Sequence, residues 1–296
     1  MRSERGICAG LPRLVAAFVL LPVTSPLLPL TSYLSPFPSP VSLLSSQVPA
    51  DLAAERTDYT RWLASARTSP YAAIAMTPVG AGVRLGPPGS DVPLDGLTEQ
   101  QVSEQRGRLT LESGGTSRPL PRGRPIPVGA YTLVAEGLPG RTVLALYGPV
   151  RPSRPAAYFA YEASLALSVT LEPPSAPGPV RLLAADGAEV EATEAGTVRV
   201  PLAGVTTPLR VRRIPGDGDE SELEIYFRDA TNGRGTYPAG RFVSLTPLPD
   251  GRYRLDFNRA RNPFCAYSSV YACPVPWPGN GVPADVRAGE RYDSER

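Results

Sequence analysis

The chain has 296 residues, 42 % of them hydrophobic, which is enough to bury a sizeable core. It contains no histidine and no lysine, so all 30 basic residues are arginine. That excludes Ser-His-Asp and Cys-His machinery, His-ligated zinc, Schiff-base lysines and a P-loop, and leaves any proton transfer to carboxylates, Tyr or Cys.

Three of the arginines and one of the 28 acids precede residue 14, and residues 14–50 carry no charge. From Asp51 onward, 27 arginines therefore meet 27 acids. Without a basic excess, nucleic acid is not an expected partner. The basic run Arg210, Arg212 and Arg213 reads as a solvated strand end, faced by the acidic stretch from Asp217 to Glu224.

The N-terminus reads as an export signal. Arg2, Arg5 and Arg13 form a positive region ahead of the apolar run Leu14 to Leu21, which Pro22, Pro26 and Pro29 interrupt. The alternative is an uncleaved anchor. A Pro/Ser-rich lead-in follows, giving residues 1–47 as signal or anchor plus tether and residues 48–296 as one mostly-β domain. The expected location is periplasmic, cell-surface or secreted. Membrane contact is expected only through the N-terminal segment, if it is uncleaved. Cys8 would leave with the signal, and Cys265 and Cys273 then form a disulfide in an oxidising compartment. The alternatives are free thiols, or a metal site that two thiolates without histidine leave incomplete.

Asp51 is placed to cap a helix whose apolar face is Leu52, Tyr59, Trp62, Leu63 and Ala66, stopped by Pro70. Tyr59 and Trp62 would dock it on a sheet. Residues 77–96 are Gly/Pro-rich with short apolar pieces. Strand signals then recur at Arg108–Glu112, Gly129–Ala135, Thr142–Tyr147, Leu165–Leu171, Pro179–Ala184, Thr197–Leu202, Leu209–Ile214, Glu222–Phe227, Phe242–Leu245 and Tyr253–Phe257. Val198, Val200 and Leu202 share a face, as do Leu223, Ile225 and Phe227, and Tyr253, Leu255 and Phe257. With 36 prolines and 28 glycines as punctuation, these predict a mostly-β fold: an antiparallel sandwich or partly open barrel with one N-terminal helix.

The chemistry-bearing residues gather after Phe227: Asp229, Thr231 and Gly233, then Thr236-Tyr237 and Gly240-Arg241. Asp256-Phe257-Asn258, Asn262-Pro263, Cys265-Ala266, Cys273-Pro274 and Ala288-Gly289-Glu290 follow. In order and spacing this run resembles the C-terminal signature of the domain of unknown function 1684 family, over about residues 228–291. The N-terminal part resembles the family only in outline. Arg261 stands where the family usually has an aromatic. The resemblance implies a shared fold and no activity.

Asp229, Thr231 and Asn232 before two glycines have the composition of an Asx-type turn. Alternatively, Asp229, Thr231 and Asp256 supply oxygens to a cation, although six to eight are not in sight for calcium. Arg241, Arg259 and Arg261 can clamp a carboxylate or phosphate, or else pair internally with Asp256, Asp229 or Glu290. Asp256 and Asn258 lie off the core face, or line a second pocket. Tyr267, Tyr271 and Trp277 form an aromatic platform, or plugs beneath a loop. No cofactor or metal is expected: Gly80-Ala81-Gly82 lacks the strand-and-helix context of a dinucleotide site. The candidate ligand-binding set is Asp229, Thr231, Tyr237, Arg241, Asp256, Asn258, Arg259, Asn262 and Glu290. Three functions remain open: an envelope module binding an unknown small ligand or envelope component without catalysis, a carboxylate-dependent hydrolase or lyase, and a purely structural protein.

Overall fold

The computed structural model describes residues 47–151, 154–215 and 221–293. The segment read as an export signal, and Cys8, lie outside the described residues. Helix α1 spans Ala50–Ser65. Pro49 occupies its N-cap position with no side-chain cap, so Asp51 is not the cap: it sits in the first turn and pairs with Arg259. Leu52 and Leu63 are buried, and Trp62 meets Phe264 at 5.7 Å between ring centroids.

Nine strands follow: β1 (Ala73–Pro78), β2 (Val83–Gly86), β3 (Val92–Pro93), β4 (Gln100–Gln105), β5 (Arg108–Ser113), β6 (Thr116–Pro119), β7 (Ile126–Val128), β8 (Tyr131–Glu136) and β9 (Val143–Tyr147). They form two sheets, in the orders β1-β9-β8-β7 and β3-β2-β4-β5-β6. Val102, Leu109 and Leu111 of one sheet share a core with Leu133, Leu144 and Leu146 of the other. The opposite face of the first sheet is also covered: Val134, Ala145 and Tyr147 pack under Tyr271, with Phe264 and Cys265. Burial on both faces explains why β8 and β9 are nearly continuous apolar runs.

The remaining strands are β10 (Ala166–Val169), β11 (Pro179–Leu183), β12 (Glu189–Leu202), β13 (Val205–Pro215), β14 (Ser221–Asp229), β15 (Arg241–Pro247), β16 (Tyr253–Asp256) and β17 (Gly281–Val282). They build a third sheet in the order β10-β16-β15-β14-β13-β12-β11, with β17 parallel to β14. Beyond β10 the chain reaches back to β12, where Glu172 and Thr197 exchange backbone hydrogen bonds of 2.8 and 2.9 Å. One bridge instead of a ladder leaves a partly open barrel around Val198, Val200, Leu223, Ile225, Phe227, Leu255 and Phe257. Gly196, at a bulge in β12, permits this crossing. Its φ is +146°, and a Cβ there would lie 2.1 Å from the Glu172 carbonyl oxygen.

The fold is thus mostly β, with antiparallel sheets and one N-terminal helix. Two local expectations need correction. Strands do not begin only after the Gly/Pro-rich stretch 77–96, since β2 and β3 lie within it. Arg212 is not solvated: it is buried, pairs with Glu194 of β12 and stacks 5.6 Å from the Trp277 ring centroid.

Candidate functional site

The Asp229 turn is a closed hydrogen-bond system. Asp229 Oδ1 accepts from Thr231 N at 2.8 Å and from Thr231 Oγ1 at 2.5 Å, the Asx-type turn the composition suggests. Oδ2 accepts from Arg241 Nη2 at 2.8 Å. Arg241 lies opposite Phe227 in the β14–β15 ladder and is completely buried. It also donates to the carbonyls of Val286 and Ala288, pinning the C-terminal segment. With both carboxylate oxygens engaged, Asp229 offers no cation site. Among the described residues no group of three or more acids or thiols is arranged around a metal position.

Tyr237 sits over the disulfide that joins Cys265 to Cys273, its hydroxyl 3.3 Å from each sulfur. Tyr271 and Trp277 are buried core plugs and do not form an open platform.

A second cluster joins α1 to the turn after β16. Asp256 Oδ1 accepts from Asn258 N and Nδ2 at 2.9 and 2.8 Å. The Asn258 amide in turn pairs both ways with the Glu162 backbone, at 2.9 Å each. Arg259 binds Asp51 at 2.5 Å and also Glu55, and approaches Asp256 at 3.6 Å. Arg56 donates to the Asn258 carbonyl at 3.0 Å and lies 4.3 Å from the Tyr158 ring centroid. These contacts border a partly open cavity of about 60 Å³ lined by Leu52, Glu55, Arg56, Tyr59, Tyr158, Asn258, Arg259 and Arg261. Arg56 Nε is buried there without a hydrogen-bond partner.

Glu290 stands behind this cavity, 1 % exposed. Its Oε2 accepts from Asn262 N at 2.9 Å, and its Oε1 accepts from the Tyr267 hydroxyl. Tyr59 OH, on the cavity wall, donates to Tyr267 OH at 3.2 Å. Tyr158 pairs with Glu290 in an antiparallel bridge. Burial pushes the Glu290 carboxyl up to about 7, against the opposing pull of Asn262 N–H, Tyr267 and Arg261. Burial also raises the Tyr59, Tyr158 and Tyr267 phenols, which makes them poor bases at neutral pH. The Asn262 amide oxygen is buried and unpartnered.

The structure thus divides the sequence candidates between two places. Asp229, Thr231 and Arg241 make the tail-pinning turn, with Tyr237 on the nearby disulfide. Asp256, Asn258, Arg259, Asn262 and Glu290 surround or back the cavity. Sequence reasoning missed Arg56, Tyr158 and Glu162, which lie outside the signature. It also missed Glu224, buried on β14 and pushed by burial up to about 7, where Arg261 pulls it down and Glu222 and Asp186 push it further up. Arg261, the departure from the family pattern, approaches Glu224 at 3.9 Å while lining the cavity.

A mostly-β protein with a disulfide-closed tail and a small, partly open cavity beneath α1, where arginines border mainly apolar walls, is the class this geometry defines. Residues 154–291 match the family described as Protein of unknown function (DUF1684), and the chain belongs to that family. It is similar to an uncharacterized protein of Haloarcula marismortui solved by solution NMR. The two are 33 % identical over 50 % of this chain and 85 % of that one, with a TM-score of 0.43. No protein with a curated description matches.

Proposed function

We propose that the protein is an exported module of the cell envelope that binds a small ligand in the cavity beneath α1 and does no chemistry on it. The observation that carries this reading is the cavity lining, with three guanidinium groups and two phenols against the single acid Glu55. The buried, unpartnered Arg56 Nε adds a polar group prepared for a ligand acceptor. The acids a paired-carboxylate enzyme would use are otherwise engaged: Asp229 by Arg241 and Thr231, Asp256 by Asn258. The positive N-terminal region, its apolar run and the disulfide favour export.

Thermal unfolding of the full chain, with sugars, small anions and divalent ions added one at a time, tests the reading. A ligand at a hundred times its dissociation constant stabilises by about 2.7 kcal/mol. The expected result is a shift for one ligand class that disappears in Arg56→Ala and Arg261→Ala. No shift with any of them sinks the reading and favours a structural role. Fractionation of cells, with mass spectrometry of the mature N-terminus, tests export separately.

Glu290 favours a second reading. A single carboxylic acid poised near neutrality is the property of a general acid or base, and Tyr59 connects it to the cavity. That reading predicts turnover lost in Glu290→Gln with folding intact.

A further inference from the structure

We propose that the ligand of this cavity is a small monocarboxylate, and that it enters together with one proton taken up by Glu290. The proposal rests on the reading of the cavity as a ligand site.

Size limits the ligand first. A space of about 60 Å³ admits a small headgroup and excludes a sugar ring, for which pockets of about 300 Å³ or more are usual. Charge limits it next. Arg259 is already shared among Asp51, Glu55 and Asp256, so the cationic groups left to a ligand are Arg56 and Arg261, the latter with Glu224 only at 3.9 Å. Arg56 lines the space and keeps a buried Nε without a partner, and a planar carboxylate suits a guanidinium edge. Leu52 and the rings of Tyr59 and Tyr158 give the same space apolar walls, which fit a short alkyl body. A phosphate dianion would bring a second negative charge against Glu55, the acid of the lining.

Glu290 makes the coupling. The groups that face it are Tyr59 from α1, Tyr158 from the neighbouring bridge, Asn262 and Tyr267 after β16, and the guanidiniums of Arg241 and Arg261. Of these only the two arginines are charged near neutrality. Arg241 is committed to Asp229, and Arg261 would be shared with the ligand. A carboxylate beside Arg56 and an ionised Glu290 would then be two like charges in one desolvated region, separated by the Tyr59 and Tyr267 hydroxyls. Protonating Glu290 removes that repulsion. The balance is simple: the protein carboxylate and a solvent proton give the carboxylic acid, and the ligand remains an anion. No covalent bond other than the new O–H forms.

The test is calorimetric titration of the full chain with sodium acetate and propionate, in two buffers of different protonation enthalpy at pH 7. We expect saturable binding with net uptake of a substantial fraction of a proton. Affinity should fall toward tenfold per pH unit above about 7, the limit for one coupled proton. Glu290→Gln should bind with no such slope. Saturable carboxylate binding without proton uptake in the unaltered chain overturns the proposal, even if the variant fails to fold. Binding of phosphate or a neutral sugar in place of carboxylates overturns it and leaves the ligand-site reading standing. If no class of compound binds, both fall.

Discussion

Arg241 and Asp229 form an ion pair, Nη2 to Oδ2 2.8 Å, with both side chains entirely removed from solvent. The pair ties β14 and β15 to the segment carrying Val286, Ala288 and Glu290. Breaking it from one side leaves a buried charge, so Asp229→Ala should cost about 3–5 kcal/mol. Denaturant unfolding measures this, and a loss below about 1 kcal/mol would show that the pair does not hold the tail.

The disulfide closes a loop with a sequence separation of eight. The chain-entropy estimate for a loop of that length is about 2–3 kcal/mol. Replacing Cys265 and Cys273 together with serine should lower unfolding stability by that amount. Reductant should then destabilise the native chain and leave the double variant unchanged.

Gly196→Ala should break the Glu172–Thr197 bridge, because the new Cβ collides with backbone and the conformation is strained for any other residue. A loss of at least about 2 kcal/mol is expected. Gly178, which has open space around it, is the control, and Gly178→Ala should stay within about 0.5 kcal/mol. Equal effects at both positions would contradict the account of the crossing.

Stability should fall between about pH 4.5 and 7. Glu290 and Glu224 rise from an ordinary 4.5 to about 7 on folding, so the folded state holds protons that the unfolded chain has released. Their contribution is complete below about 4.5 and is lost as the pH climbs to about 7, by roughly 2–3 kcal/mol for each group. Glu104 acts in the opposite sense. Burial alone would raise it, but Thr142, the Gly140 N–H and Arg122 outweigh that and hold it low, so its contribution appears above 4.5 and is lost in acid. Urea midpoints at intervals from pH 4.5 to 8 should show the decline, and Glu290→Gln should flatten part of it. A rise across this window would contradict the buried, uncompensated placement of both acids.

The strands legible in the sequence were those with one buried face, such as Leu223, Ile225 and Phe227. Three of those that escaped notice lack that alternation, and β2, which has it in Val83 and Leu85, is only four residues long. In β4 only Val102 is buried, β6 is exposed throughout, and β1 has mostly half-buried residues. The signature residues were visible as a group, and the pairing of Arg241 with Asp229 was among the readings their types allowed. The cavity was not legible. Arg56 reaches the Asn258 carbonyl across 202 residues of sequence, and Tyr59 reaches Tyr267 across 208. Nothing local in α1 signals that contact. Glu224 was hidden for a different reason. Alternation puts it on the face of β14 opposite Leu223, Ile225 and Phe227, and that face has its own buried cluster, with Tyr226, Phe242 and Trp277.

The central claim is that the cavity beneath α1 receives an anionic ligand. Proton–nitrogen correlation spectra of the arginine Nε–Hε groups, recorded during a sodium acetate titration, test it most directly. The account predicts a saturable shift of the Arg56 signal, together with Arg261, while Arg106 in the β4–β5 turn and Arg118 on β6, which do not line the cavity, stay fixed. An Arg56 signal that does not move, or arginine signals that all drift together without saturating, would contradict it.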